Sequence, residues 1–143
     1  MIRWAVFIGA VLGGLGVGLG AYQAHGLEKS LQAAALPDDE IVRRLHNAQV
    51  AVQYLMIHAL ALVAVGGLTA ARFSRCCGAA ILLFVTGTLL FSGGLAVHAL
   101  TGRIGHWAII PGGGLLLILG WIALAAHACC CWPAIGTDAD RAT

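Results

Sequence analysis

Residues 78–100, GAAILLFVTGTLLFSGGLAVHAL, form 23 consecutive positions without Asp, Glu, Lys or Arg. A helix needs about 20 mostly apolar residues to cross the ~30 Å hydrocarbon core of a bilayer. Backbone N–H and C=O groups in lipid have to pair within their own segment, which a helix allows. The stretch therefore predicts a membrane-spanning helix, and three other parts of the chain have the same character.

These other stretches are residues 2–22, about 48–71 and about 107–132, and Arg3 is their single charged residue. The first exceeds the 7–15-residue apolar core of a secretory signal, so we expect it to be a retained helix. The short links at 72–77 and 101–106 make neighbouring helices antiparallel. We predict an all-α integral membrane protein. Its domain, residues 1–132, is a bundle of four antiparallel transmembrane helices, and a polar tail follows at 133–143.

The composition excludes most other classes. Of the 143 residues, 60% are hydrophobic and 10% are charged, and the formal net charge is +2. A soluble domain carries about 25% charged residues, so the expected surroundings are a lipid bilayer. The sequence contains no run of basic residues, so nothing in it indicates a nucleic-acid partner. The cysteines are adjacent, at 76–77 and 129–131, which is the spacing of neither a disulfide framework nor a metal ribbon, and we predict no metal site.

The one long polar segment separates the first two spans. In it, Leu27, Leu31 and Ala34 recur at helical spacing, which predicts a short amphipathic helix on the membrane surface. Pro37 followed by acidic residues predicts that the second long helix begins near Asp38. Lys and Arg are equally divided between the two sides of the predicted membrane, so they do not set the orientation. Two arginines at 72–77, with all five cysteines on that side, favour cytoplasmic termini.

Glycines crowd the predicted spans, several of them in GxxxG pairs. Small residues let helix backbones approach closely in lipid, so these positions predict tight helix packing. They are Gly9, Gly13, Gly14, Gly16, Gly18 and Gly20 in the first span, and Gly87, Gly94, Gly113 and Gly120 in the last two.

Polar side chains at membrane depth are the candidate functional residues. At 1.5 Å per residue, His58 lies about 15 Å into the membrane, level with Ser92, and we predict an interior contact between His58 and the third span, with Ser92 as the favoured partner. Tyr22, His25, Gln49, Gln53 and His98 lie at a shallower level, and we predict that they form a polar pocket open to the long loop. The candidate pocket residues are Tyr22, His25, Gln49, Gln53, Tyr54, His58, Ser92 and His98.

Intramembrane histidines are compatible with three roles. A neutral imidazole can hydrogen-bond to a neighbouring helix. It can carry a proton or contact a ligand. Two histidines from facing helices can also ligate a haem iron or another metal.

Several short motifs resemble one family. Residues 20–27, GAYQAHGL, resemble its G-A-F-G-A-H-G-L signature, and 53–60, QYLMIHAL, lie where it has Y-Q-x-x-H-x-L. Residues 90–95, LFSGGL, resemble L-F-S-G-S-L-Y, and 111–114 and 120–121 resemble P-x-G-G and G-W. The chain thus resembles the YgdD-like family of small inner-membrane proteins, a domain of unknown function whose eukaryotic relative is transmembrane protein 256.

The resemblance runs in order through all four predicted spans. It implies a four-helix protein of the inner membrane and implies no activity. His25, His58, Ser92 and Gly93 match the motifs, whereas His98 stands where the family has an apolar residue, so no role is carried over to it.

We therefore expect a non-enzymatic accessory, scaffold or assembly component that binds a partner helix, a second copy or lipid through its glycine-rich faces. We expect no cofactor. The alternative is a proton-coupled small carrier or a protein that binds a quinone or lipid head group through His25 and His58. The third reading is a haem or metal protein.

Overall fold

Helices are the only regular secondary structure in the part of the chain that the structure describes. The computed structural model describes residues 2–68, 74–103 and 105–131; the predicted tail lies outside them. Four helical stretches in this part are long and apolar enough to cross a membrane, which confirms the predicted fold class. The elements are α1 (Ile2–Tyr22), a π-helical turn (Gln23–Leu27), α2 (Glu28–Ala33), α3 (Asp38–Leu68), α4 (Arg75–Thr101) and α5 (Ile109–Cys131).

Each of the four long helices packs mainly on the long helix that precedes or follows it in the chain. The helix α1 lies against α3, α3 against α4, and α4 against α5. One core draws on all of them, with Leu12 from α1, Leu62 from α3, Phe84 from α4 and Leu117 from α5. The central pair α3 and α4 is therefore the most enclosed, and α1 and α5 flank it.

The predicted surface helix is instead a continuation of α1. The backbone stays helical through the π turn into α2. Leu27 and Leu31 are buried with Ala48 of α3 and Ala99 of α4, in a second core cluster at the end of the bundle that carries the long loop. The apolar stripe that predicted contact with lipid thus contacts protein. The helix α3 begins at Asp38, as predicted.

Of the ten glycines predicted to pack, most face a neighbouring helix, but two do not. A Cβ added at Gly9 would lie 2.8 Å from the Ala59 carbonyl oxygen, and one at Gly16 would lie 2.7 Å from Met56 Sδ. At Gly14 and Gly18 nothing lies within 4 Å, so the prediction of packing is wrong for these two within the chain. Gly14 and Gly18 are each two residues away from Gly16, and positions two apart point in different directions from a helix. The other glycines with a close neighbour on another helix are Gly20, Gly87, Gly94, Gly113 and Gly120, whereas Gly13 is in looser contact.

Candidate functional site

Buried histidines connect pairs of helices at different heights. Of the described histidines, His58, His98 and His127 are buried. The Asn47 amide of α3 lies 2.8 Å from His98 Nδ1 of α4. His127 Nδ1 of α5 lies 2.7 Å from the Oγ of Ser74, whose side chain also caps the start of α4. His58 makes the third connection, between α3 and α5.

The hydrogen bonds of His58 define its protonation. Its Nδ1 lies 2.8 Å from the Tyr54 carbonyl oxygen, which can only accept, so Nδ1 carries the proton. Its Nε2 lies 3.2 Å from Nε1 of Trp121, an indole that can only donate, so Nε2 accepts. His58 is therefore a neutral imidazole with both ring nitrogens engaged.

His58 does pack on α4, through Phe84, but its hydrogen-bond partner is Trp121 of α5 rather than the predicted Ser92. The Oγ atoms of Ser92 and Thr88 are buried and have no hydrogen-bond partner among the described residues. The helical rise gives the position of His58 along the helix axis, and it does not specify the direction in which the ring points. The sequence did contain a clue to Trp121: it lies in mid-helix rather than at an interface, and an indole N–H at membrane depth needs an acceptor because lipid offers none.

The shallow polar pocket is not assembled. The Tyr22 hydroxyl lies 3.2 Å from Ser30 Oγ, and His25, Gln49 and Gln53 are exposed. His98 is buried against Asn47 instead. Within the described ranges, no hydrogen bond joins any two of the five residues predicted to form this pocket. Similar depth on separate helices did not bring these side chains together.

An aromatic cluster surrounds His58. Its ring centroid lies 5.5 Å from that of Phe84 and 6.0 Å from those of Tyr54 and Trp121. Tyr54 in turn lies 4.8 Å from Phe91. The cluster connects α3, α4 and α5, and both His58 and Trp121 fall in segments that carry the family resemblance.

Beside this cluster lies a groove of about 500 Å³. Its walls come from α3, α4 and α5, and none of its lining residues is Asp, Glu, Lys or Arg. Because Tyr54, Ile118 and Trp121 are partly exposed, the groove opens sideways, towards the lipid-facing surface. The lining residues are Tyr54, His58, Phe91, Pro111, Gly114, Leu115, Leu117, Ile118 and Trp121.

The cysteines lie near the ends of α4 and α5. Cys77 is buried, Cys76 is half-buried and Cys129 is exposed. In the described part of the chain, no three His, Cys, Asp or Glu side chains are grouped as a metal ligand set.

Comparison with known proteins places the chain among small membrane proteins. A family model, described as "Protein of unknown function (DUF423)", matches residues 19–114. A UPF0382 membrane protein of Staphylococcus haemolyticus is 36% identical over 83% of this chain and 89% of its own. The corresponding protein of Schizosaccharomyces pombe is 37% identical over 82% and 94%, and YwdK of Bacillus subtilis is 36% identical over 86% and 94%.

No solved structure matches the chain. The family model covers more than half of the sequence, and the relatives align over most of their own lengths. Together with the four apolar helices, these matches confirm the family resemblance drawn from the motifs: the chain is a membrane protein of the DUF423 family.

Proposed function

We propose that the protein is a non-enzymatic membrane protein that binds a neutral, lipid-soluble molecule in the groove beside His58. The observation that carries the proposal is the groove itself, uncharged, aromatic and open sideways. The glycine-rich faces, which the sequence suggested as binding surfaces, are largely occupied by packing within the chain.

The shape of the groove favours a flat head group. Its volume of about 500 Å³ is that of an ordinary small-molecule site. Tyr54, Phe91 and Trp121 supply aromatic walls, and aromatic rings pack well against one another in offset or edge-on arrangements. A planar ring with an apolar tail extending into the bilayer fits this geometry.

The polarity of the groove narrows the class of ligand. An unpaired ion in an apolar environment is very unfavourable, and no charged residue lines the groove, so a phosphate head group is disfavoured. The Tyr54 side chain is 39% exposed, and its hydroxyl makes no hydrogen bond to the described residues. That hydroxyl is available to donate to a carbonyl oxygen. We therefore assign the groove to a ring-headed lipid that bears a carbonyl, as a quinone does.

Filling the groove is expected to abolish this binding. A Cβ at Gly114 would make ordinary contact with Phe91, at 3.5 Å, so the larger side chain of Gly114→Leu would project into the groove without forcing the backbones apart. Titration of the purified protein with an alkyl-benzoquinone, followed by isothermal calorimetry, should show binding to the wild type and none to this variant. Gly18→Leu, at a position with open space, is the matched control and should bind normally.

Tyr54→Phe should raise the dissociation constant for the same quinone by about tenfold or less, which is the usual effect of losing one hydrogen bond. Unchanged affinity in Gly114→Leu, or no binding to the wild type, would contradict the proposed function.

We also propose that His58 holds neither a haem nor a catalytic proton. Both of its ring nitrogens are engaged, so a metal at Nε2 would have to displace the Trp121 indole. The purified protein should lack a haem absorption band and stoichiometric metal. A Soret band lost in His58→Leu would contradict this.

We propose that the protein lies in the bacterial inner membrane with both termini in the cytoplasm. Four spans place the termini on one side, and the turn between α2 and α3 on the other. A phosphatase that is active only in the periplasm should be active when fused within residues 32–35 and inactive at Gly136. Activity at Gly136 would reverse the orientation. A third fusion, at Met1, should report the same side as Gly136, and opposite sides for these two would contradict four spans.

A further inference from the structure

One face of α3 is uncovered although this helix is central to the fold. The helix packs on α1 on one side and on α4 on the other. An exposed stripe of residues with helical spacing lies away from both of these neighbours, and we call it the outer face of α3. Its residues are His46, Gln49, Gln53, Ile57, Leu60 and Ala64.

The two glutamines of this face lie at the height of apolar segments. Asn47 hydrogen-bonds to His98, and His98 lies within the uncharged stretch 78–100 of α4. Gln53 is six residues beyond Asn47, about 9 Å further along the helix axis. It therefore lies inside the hydrocarbon layer, and Gln49 lies near its edge.

Neither glutamine side chain has a hydrogen-bond partner within the part of the chain that the structure describes. Thr86, also at membrane depth, differs because its hydroxyl donates to the Leu82 carbonyl oxygen of its own helix at 2.8 Å. A primary amide has two donors and an acceptor, and leaving them unpaired in lipid is unfavourable. Polar side chains in this situation hold transmembrane helices together.

We propose that the outer face of α3 is the interface of a homodimer, with Gln53 of one copy paired with Gln53 of its partner. Copies of a membrane protein insert with the same orientation, so their two-fold axis is perpendicular to the membrane. Residues near that axis then meet their own counterparts at the same depth. An amide is complementary to itself, which makes a second copy the partner that these two glutamines fit.

The interface continues on both sides of Gln53. Gln49 lies one turn towards the loop, and Ile57 and Leu60 lie towards the membrane centre, where they supply apolar contact. Tyr54 points about 100° away from Gln53 around the helix and about 60° from Ile57, and its ring faces Phe91 of α4 at a centroid distance of 4.8 Å, so the groove lies beside the interface rather than in it. The dimer is therefore independent of ligand binding in the groove.

The dimer is tested by counting subunits in lipid. Fluorescently tagged protein in liposomes, over a range of protein-to-lipid ratios, should bleach mostly in two steps. In Gln49→Leu/Gln53→Leu the dissociation constant should rise by about tenfold or more, given the typical strength of such polar pairs in membranes. Thr86→Val, which removes a polar group already satisfied by its own helix, should behave as wild type.

Helix content measured by circular dichroism separates loss of pairing from loss of folding, and it should be equal in all three proteins. A photoreactive amino acid at Ile57 identifies the neighbour. Crosslinks at twice the mass of the chain are expected. One-step bleaching of the wild type at every density, equal dissociation constants, or crosslinks only to lipid or to another protein would overturn the proposal.

Discussion

Gly113→Ala is expected to destabilise the protein by about 3 kcal/mol, at the upper end of what overpacking costs. The added Cβ would lie 2.5 Å from the backbone nitrogen of Phe91 and 3.0 Å from the carbonyl oxygen of Gly87. These are backbone atoms, so no side-chain rotation relieves the overlap, and α4 and α5 have to move apart. The free energy of unfolding in mixed micelles, measured by titration with SDS and followed by circular dichroism, reports the effect.

Gly112→Ala is the matched control for this substitution. It lies on the same helix one residue earlier, and a Cβ there meets nothing within 4 Å. Its stability should equal that of the wild type or slightly exceed it, since alanine is the better helix former. Equal destabilisation by the two substitutions would show that the close approach of α4 and α5 does not matter.

Trp121→Phe is expected to destabilise the protein by about 1–3 kcal/mol, because it leaves His58 Nε2 buried without a donor. The substitution keeps one six-membered aromatic ring, so part of the packing on Phe84, which lies at a centroid distance of 5.0 Å from Trp121, should be retained. Combining it with His58→Leu should cost less than the sum of the single changes, with a coupling free energy of about 1 kcal/mol. The same unfolding titration measures all three variants.

Trp107→Phe serves as the control for loss of an indole. Trp107 is 76% exposed and lies just before α5. Its replacement should change the unfolding free energy little and should show no coupling to His58→Leu. Strict additivity of Trp121→Phe and His58→Leu would mean that the hydrogen bond between them contributes nothing to stability.

The hydrogen bonds of the buried histidines connect pairs of helices, which gives these residues a structural role. Asn47 and His98 connect α3 to α4 near the long loop, His58 connects α3 to α5 further into the membrane, and Ser74 and His127 connect α4 to α5 at the opposite end. Lipid supplies no hydrophobic drive between helices, so packing and hydrogen bonds determine how they associate. The buried histidines therefore hold neighbouring helices together, and the open groove is the better candidate for a ligand-binding site.

Properties that depend on position along the helix axis could be predicted from the sequence. Charge-free runs of about 20 residues defined the four spans, and Pro37 with its acidic followers located the start of α3. Glycines in these spans predicted close helix packing, and Gly9 and Gly113 do lie against a neighbouring helix.

Rotation about each axis was decided only by the tertiary structure. A helix that is apolar on all sides carries no amphipathic stripe to mark its buried face. Hence the sequence did not distinguish Gly16, which packs on Met56, from Gly14 and Gly18, which face open space. For the same reason it assigned His58 to Ser92 rather than to Trp121. In lipid, length and composition determine which segments cross the membrane, whereas contacts between helices determine which side chains meet.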